Sequence, residues 1–263
     1  MTSVSRPVLL LLQLMVAVVF LSVWHVLTNY PVLGDVKTAK FFFSTPLEVG
    51  ARVVKMVTEG GLWWHLGITL TETILAFLIG AGGGVAIGFW FARKPLLAAV
   101  FDPYVKAINA LPRVVLAPII ALWFGLGIWS KVALGVTLVF FIVFFNVYQG
   151  VRDVNQTILA NARMLGMNER QLLRHVYWPS ALGWVFSSLH TSVGFALVGA
   201  VVGEYLGASA GLGYLINQAE GVFDVTGVFA GMAILMVFVI IIDSFVTLVE
   251  NRLLVWKPGE TRT

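Results

Sequence analysis

The sequence contains no cysteine, and only 11% of its 263 residues are charged. The lack of cysteine excludes disulfides, thiolate metal ligands and cysteine nucleophiles. The scarcity of charge accompanies 59% hydrophobic residues and a mean hydropathy of +0.92. This composition leaves too little polar surface to cover a soluble globule of this length. We therefore predict an integral membrane protein.

Long apolar runs predict how the chain crosses the bilayer. A spanning helix needs about 20 apolar residues, and these runs lack the alternation of a transmembrane barrel. The predicted fold class is therefore all-α, a polytopic membrane protein with six transmembrane helices. The first run is interpreted as a span and not as a cleaved signal peptide, because no small-x-small site follows it before Tyr30. The predicted spans cover residues 7–28, 65–91, 106–126, 131–149, 182–203 and 227–249.

The positions of lysine and arginine predict the orientation, because short cytoplasmic loops are enriched in them. With a cytoplasmic N-terminus, ten of the seventeen basic residues fall inside. Residues 46–58 are predicted to form an amphipathic helix on the outer surface. The ten inner residues are Arg6, Arg93, Lys94, Arg152, Arg163, Arg170, Arg174, Arg252, Lys257 and Arg262, and the five outer ones are Lys37, Lys40, Arg52, Lys55 and Lys131.

A polar segment, residues 150–180, lies between two apolar runs and has the signals of a helical hairpin. Residues 153–165 suit a helix that closes at Gly166, since glycine takes the left-handed conformation at a helix C-terminus. Asn168 and Gln171 have capping-box spacing for a second helix, which Pro179 ends. Two capped amphipathic helices favour a surface for a cytoplasmic partner over the alternative of a solvated loop.

This segment resembles the EAA loop of ABC importer permeases, whose pattern is Glu-Ala-Ala, three residues, Gly, nine residues, Ile-x-Leu-Pro. The spacing matches throughout, and Gly166 and Pro179 are retained. The departures are Ala160 in place of the acid, Asn161 in place of alanine and Trp178 in place of leucine. The resemblance implies that the loop docks on an ATPase subunit through Ala160, Asn161, Ala162, Arg163, Gly166, Met167, Asn168 and Pro179.

Two further stretches extend the resemblance over roughly residues 40–256 and towards the nitrate, sulfonate and taurine branch of these permeases. They are INALPRVVLAPIIALWFGLGIWSK, residues 108–131, and VVGEYLGASAGLGYLI, residues 201–216. The resemblance implies one permease domain over residues 1–263 with a type I ABC importer permease fold, in the bacterial cytoplasmic (inner) membrane and with both termini cytoplasmic. It also implies half of a translocation pore, completed by a second permease subunit in a homodimer.

The implied partners are two copies of an ABC ATPase subunit, an extracytoplasmic substrate-binding protein and the lipid bilayer. The chain has no phosphate loop of the GxxxxGK[ST] type, so we expect ATP hydrolysis on the separate subunit and no enzyme activity or cofactor here. A pI near 9.5 fits membrane anchoring and requires no nucleic-acid partner.

Small and ionisable residues within the spans are further candidates. Gly80, Gly84 and Gly88 recur every four residues, which favours close helix packing over substrate passage. An unpaired charge in the bilayer costs about 3 kcal/mol, so ionisable residues in spans suggest function. Interhelical hydrogen bonding or packing remains the alternative for each of them. The sequence offers no further ligands with which the histidine among them, His190, could form a metal site. The candidate pathway residues are Glu72, Pro112, His190 and Glu204.

The expected substrate class rests on the ionisable groups of the spans. Their ionisable groups are mainly acidic, which favours a neutral or cationic solute, such as a pyrimidine-type vitamin precursor, over inorganic anions. Two other functions remain open, an ATP-independent secondary transporter or channel and an intramembrane enzyme. A secondary transporter or channel would not require the EAA spacing. For an intramembrane enzyme, the sequence contains neither an HExxH nor a GxSxG motif.

Overall fold

The computed structural model describes residues 5–32, 34–59 and 61–253, and every regular element in these ranges is helical. The predicted inner residues Lys257 and Arg262 lie outside them. The helices are α1 Arg6–Asn29, α2 Val36–Phe43, α3 Pro46–Glu59, α4 Leu62–Ala92, α5 Pro95–Ala110, α6 Arg113–Phe124, α7 Ile128–Arg152, α8 Gln156–Met164, α9 Glu169–Leu172, α10 Trp178–Gly207, α11 Leu212–Gly221 and α12 Val225–Leu253. A π-helical segment, Leu173–Tyr177, joins α9 to α10.

Five helices in the described ranges are long and apolar enough to cross a membrane, and a bent pair gives six if it counts as one span. This pair is α5 and α6, which meet at 92°. The predicted span over 106–126 therefore corresponds to part of this bent pair and not to one continuous helix. Helix α5 begins earlier, at Pro95, and the break falls at Leu111, whose backbone is extended. Pro112 explains the break, because proline disfavours helical geometry in the residue before it.

Helices α4, α7 and α10 form the centre of the bundle, and glycines allow α4 to approach α7 closely. A Cβ added at Gly80 would lie 2.7 Å from the Val139 Cβ. One at Gly84 would lie 2.8 Å from the Phe140 carbonyl oxygen, and one at Gly88 would lie 2.7 Å from the Phe144 carbonyl oxygen. The regular glycine spacing thus lies along a seam between two helices of the same chain.

Helix α1 stands apart from this centre. Its side chains are almost all exposed, and none in its apolar window is buried. Attachment occurs near its C-terminal end, where Trp24 Nε1 donates to the Phe43 carbonyl oxygen over 3.2 Å and the Trp24 ring packs on Phe229. The rest of α1 therefore presents an apolar cylinder suited to lipid.

The two ends of the bundle differ. At one end, α8 and α9 form a hairpin between α7 and α10, and we call this the hairpin end. At the other, the far end, α3 and α11 pack on α4 and α12 through a cluster containing Leu62, Leu212 and Ile234. The predicted amphipathic helix at 46–58 corresponds to α3. Helix α10 runs from one end to the other and connects a candidate site at each.

Candidate functional site

The hairpin at the hairpin end has a small apolar core of its own. Val154, Leu159 and Ala162 from the first half are buried against Leu172 and Val176 from the second. This packing holds the two halves of the hairpin together. Tyr177 contacts both this cluster and the central core of the spanning helices.

The turn between α8 and α9 has the geometry that the sequence predicts. Gly166 has φ +79°, and the amide of Met167 donates to the Ala162 carbonyl oxygen over 3.1 Å, which is a Schellman closure. Asn168 and Gln171 exchange side-chain to backbone hydrogen bonds of 2.9 and 2.8 Å. These bonds confirm the capping box at the start of α9.

Two apolar side chains project from the tip of this hairpin. Met164 is 86% exposed and Leu165 is 80% exposed. Ala160, Asn161 and Arg163 are also exposed, whereas Ala162 is buried in the hairpin core. Met164 and Leu165 were not among the residues predicted from the sequence. One signal in the sequence could have identified them: both residues directly precede Gly166, and neither lies on the face of α8 that carries the buried Leu159 and Ala162.

The hairpin joins α10 without a break. The predicted end of the second helix at Pro179 is wrong, because the chain continues through the π-helical segment and Pro179 lies in the first turn of α10. The first turn tolerates proline, since its amides have no intrahelical partner. A second connection is the ion pair between Arg93 Nη2 and Glu169 Oε2, 2.7 Å long. The hairpin is thus connected to both α10 and α4.

A buried polar cluster lies near the far end. Glu204, from the last turn of α10, is 1% exposed. Its Oε1 accepts from Thr69 Oγ1 of α4 at 2.6 Å, and its Oε2 accepts from the Gly213 amide at 2.8 Å. Thr69 Oγ1 accepts from the Leu212 amide at 2.9 Å, and His65 Nδ1 accepts from the Gly211 amide at 3.0 Å. Side chains of α4 and α10 thus hold the start of α11.

Two more ionisable side chains, Glu72 and Lys131, lie beside Glu204 and are each 2% exposed. The Lys131 ammonium donates to the carbonyl oxygens of Leu126, at 2.5 Å, and Gly207, at 2.6 Å. One oxygen of Glu72 is buried and has no hydrogen-bond partner among the described residues. Lys131 was predicted from the sequence to be a basic residue of an outer segment, and the structure buries it instead.

The predicted pathway residues therefore lie in three places. Glu72 and Glu204 share the polar cluster, and Pro112 lies at the exposed bend between α5 and α6. His190 Nε2 lies 3.6 Å from Asp243 Oδ1 of α12, beside an apolar cavity of about 290 Å³. Within one chain, the fold brings only the first two together.

Comparison with known proteins agrees with this architecture. A model of the family described as "Binding-protein-dependent transport system inner membrane component" matches residues 84–255. The chain is 32% identical to a Bacillus subtilis (strain 168) protein bearing the name of an aliphatic sulfonates transport permease, SsuC, over 93% of this chain and 87% of the relative. It is also 32% identical to the formylaminopyrimidine transport permease protein ThiX of Halalkalibacterium halodurans, over 97% of both chains.

A solved structure has the same fold. It is a chain of the MetNI methionine ABC transporter in an inward-facing conformation, with a TM-score of 0.57, 16% identity, and coverage of 73% of this chain and 92% of that chain. The all-α fold is therefore that of a type I ABC importer permease. By the family match and by two relatives at 32% identity, the chain belongs to the binding-protein-dependent transport system inner membrane components.

Proposed function

We propose that this chain forms half of the translocation pore of an ATP-driven importer, and that its hairpin transmits force from a separate ATPase subunit. The observation that carries the proposal is the exposed pair Met164 and Leu165 at the tip of a self-packed, doubly capped hairpin. Exposed apolar side chains on a rigid polar element mark a protein contact. Continuity with α10 gives the contact a mechanical route into the bundle.

The orientation follows from the same proposal. The hairpin end faces the cytoplasm, where ATP is available, and both termini lie on that side. An extracytoplasmic binding protein delivers the substrate at the far end. The bent pair α5 and α6 carries strongly exposed apolar side chains, including Leu96, Leu122 and Trp123. We assign this surface to contact with the second permease subunit, a second copy of the chain, or with the surrounding lipid.

Substrate passage in this proposal occurs between the two copies. The pathway roles of Glu72, Pro112, His190 and Glu204 remain predictions. The substrate is proposed to be a small organic solute or anion of the nitrate, sulfonate, taurine and pyrimidine-precursor class. The two relatives at 32% identity are named for chemically different solutes, a sulfonate and a pyrimidine. Lys131 already donates to two carbonyl groups, so the preference for a neutral or cationic solute is kept.

The test is made on the complex purified with its ATPase and reconstituted in vesicles with its binding protein. Met164→Asp combined with Leu165→Asp places charge at the proposed contact. We expect loss of ATPase co-purification and a fall of at least tenfold in binding-protein-stimulated ATP hydrolysis and uptake. Val222→Asp is the control for ATPase co-purification, because Val222 is also strongly exposed but lies at the far end, away from the proposed ATPase contact.

An ATP-independent secondary transporter is the alternative. It predicts that the double variant takes up substrate at the parent rate and that ATP changes the rate of neither protein. That result, in a variant that remains folded in the membrane, would reject the ATP-driven importer.

A further inference from the structure

We propose that Glu204 is a positioning residue, which with Thr69 and His65 locks the connection 208–213 and α11 onto α10, so that this connection moves with α10 during transport. We call these three side chains the clasp. The inference rests on the proposed function, because it extends the route from the hairpin to the far end of the bundle.

The chain itself supplies the first part of this route. From Glu169 through the π-helical segment to Gly207 the backbone is helical without interruption. At 1.5 Å per residue, the 30 residues of α10 extend about 45 Å. A displacement of the hairpin therefore reaches the residues after Gly207 as a movement of a single rod. The covalent link at Gly207 carries this movement to the next residues, and further contacts between the connection and α10 make the two move as one body.

The clasp provides this fastening through backbone amides. The first amides of a helix have no intrahelical partner, and here Gly211, Leu212 and Gly213 all donate to side chains of other elements. The bond from Gly213 to Glu204 thus fixes α11 directly to α10, while Thr69 and His65 connect both to α4.

The glycines show how closely the two segments approach. Gly211 has φ +114°, and a Cβ there would overlap the Glu204 carboxyl group. A Cβ at Gly213 would lie 2.9 Å from the Tyr205 amide nitrogen. Any larger residue at either position would push α11 away from α10. The sequence GLG at 211–213 is therefore required by this contact and not by a turn alone.

Lys131 fixes the other end of the same connection. Its ammonium binds the Gly207 carbonyl oxygen at the C-terminus of α10, where a cation is favoured by the helix dipole. Between this anchor and Gly211 lie Ala208, Ser209 and Ala210, of which Ser209 is exposed. The connection is thus held by hydrogen bonds at both ends, and Ser209 in its middle is exposed.

The absence of native cysteine makes this inference testable with single labels. An environment-sensitive fluorophore on Ser209→Cys reports the connection, and the same fluorophore on Gln156→Cys reports the hairpin. Each is measured in the reconstituted complex without nucleotide and after trapping with ATP and vanadate. In the parent we expect the emission of both labels to change between the two states.

Glu204→Gln leaves one acceptor oxygen in place of two, so we expect it to reduce the change at Ser209 at least twofold and to leave the change at Gln156. Glu59→Gln is the matched control, since it makes the same substitution at an exposed residue of α3, outside the contact between α10 and α11. If Glu204→Gln does not assemble, His65→Ala, which removes one acceptor of the clasp, is expected to reduce the change at Ser209 at least twofold.

The contrary results are distinct. An unchanged response at Ser209 in the clasp variants, or a parent in which Gln156 responds and Ser209 does not, would overturn the positioning role. A parent in which the Gln156 label does not respond to ATP would instead overturn the proposed function.

Discussion

Arg93 Nη2 donates to Glu169 Oε2 over 2.7 Å, which joins the residue after α4 to the first residue of α9. The hairpin is therefore connected to the bundle by a second contact besides its covalent continuity with α10. Both side chains are partly exposed, at 33% and 66%, so the pair contributes less than about 1 kcal/mol. It orients the hairpin and can yield when the hairpin moves.

Reversing one charge of this pair is expected to weaken the coupling modestly. Arg93→Glu places two carboxylates together, and we predict a two- to fivefold loss of binding-protein-stimulated ATP hydrolysis, in line with about 0.5–1 kcal/mol. Adding Glu169→Arg restores the pair. A double-mutant cycle checks this, and additive losses in the double variant would show that the two residues do not act together.

Gly166 tests the geometry of the hairpin tip. A Cβ at this position meets no atom within 4 Å, so the cost of Gly166→Ala comes from its φ of +79° alone, about 1–2 kcal/mol. We expect hydrogen exchange of the amides in α8 and α9 to accelerate about tenfold. Gly166→Asn should have a smaller effect, because asparagine tolerates this conformation. Equal exchange in all three proteins would contradict the Schellman closure.

The seam between α4 and α7 offers a matched pair of substitutions. Gly84→Ala places a Cβ 2.8 Å from the Phe140 carbonyl oxygen, so the two helices must separate, at a cost of about 1–3 kcal/mol. Gly82→Ala meets no atom within 4 Å. Thermal unfolding in detergent should show a lower midpoint for the first variant and an unchanged midpoint for the second. Similar midpoints would mean that the helices are not in close contact.

Lys131 is expected to be essential for stability. Lys131→Met leaves the Leu126 and Gly207 carbonyl groups without this donor and removes the positive charge beside the buried Glu72 and Glu204, which should cost about 3–5 kcal/mol. Lys106→Met is the control, because Lys106 is exposed and pairs with Asp102 one turn away. Comparable thermal midpoints for the two variants would show that the buried lysine is dispensable.

Local signals in the sequence were sufficient for the turn of the hairpin, although not for the end of its second helix. Gly166 and the pair Asn168 and Gln171 act within a few residues, so their spacing alone predicts the turn. The break at Pro112 was only half predicted. The proline was recognised as a candidate within a span, but the helix before it starts at Pro95, outside the apolar run that was assigned to the span.

The polar cluster could not be predicted in full because its partners are distant along the chain. Lys131 stands at the start of an apolar run, where a lysine usually lies at the membrane surface. Its burial depends on the Gly207 carbonyl group, 76 residues away. In the same way, Thr69 and His65 act on amides that lie 143 and 146 residues further on. Such contacts follow from the packing of α4, α7 and α10.

The central claim is that the hairpin tip contacts the ATPase subunit, and photocrosslinking tests it most directly. A photoreactive amino acid is placed at Leu165 in the assembled complex, with Val222 at the far end as the control position. We predict a crosslink to the ATPase from Leu165 and none from Val222. An assembled, ATP-hydrolysing complex in which Leu165 forms no crosslink to the ATPase would contradict the claim.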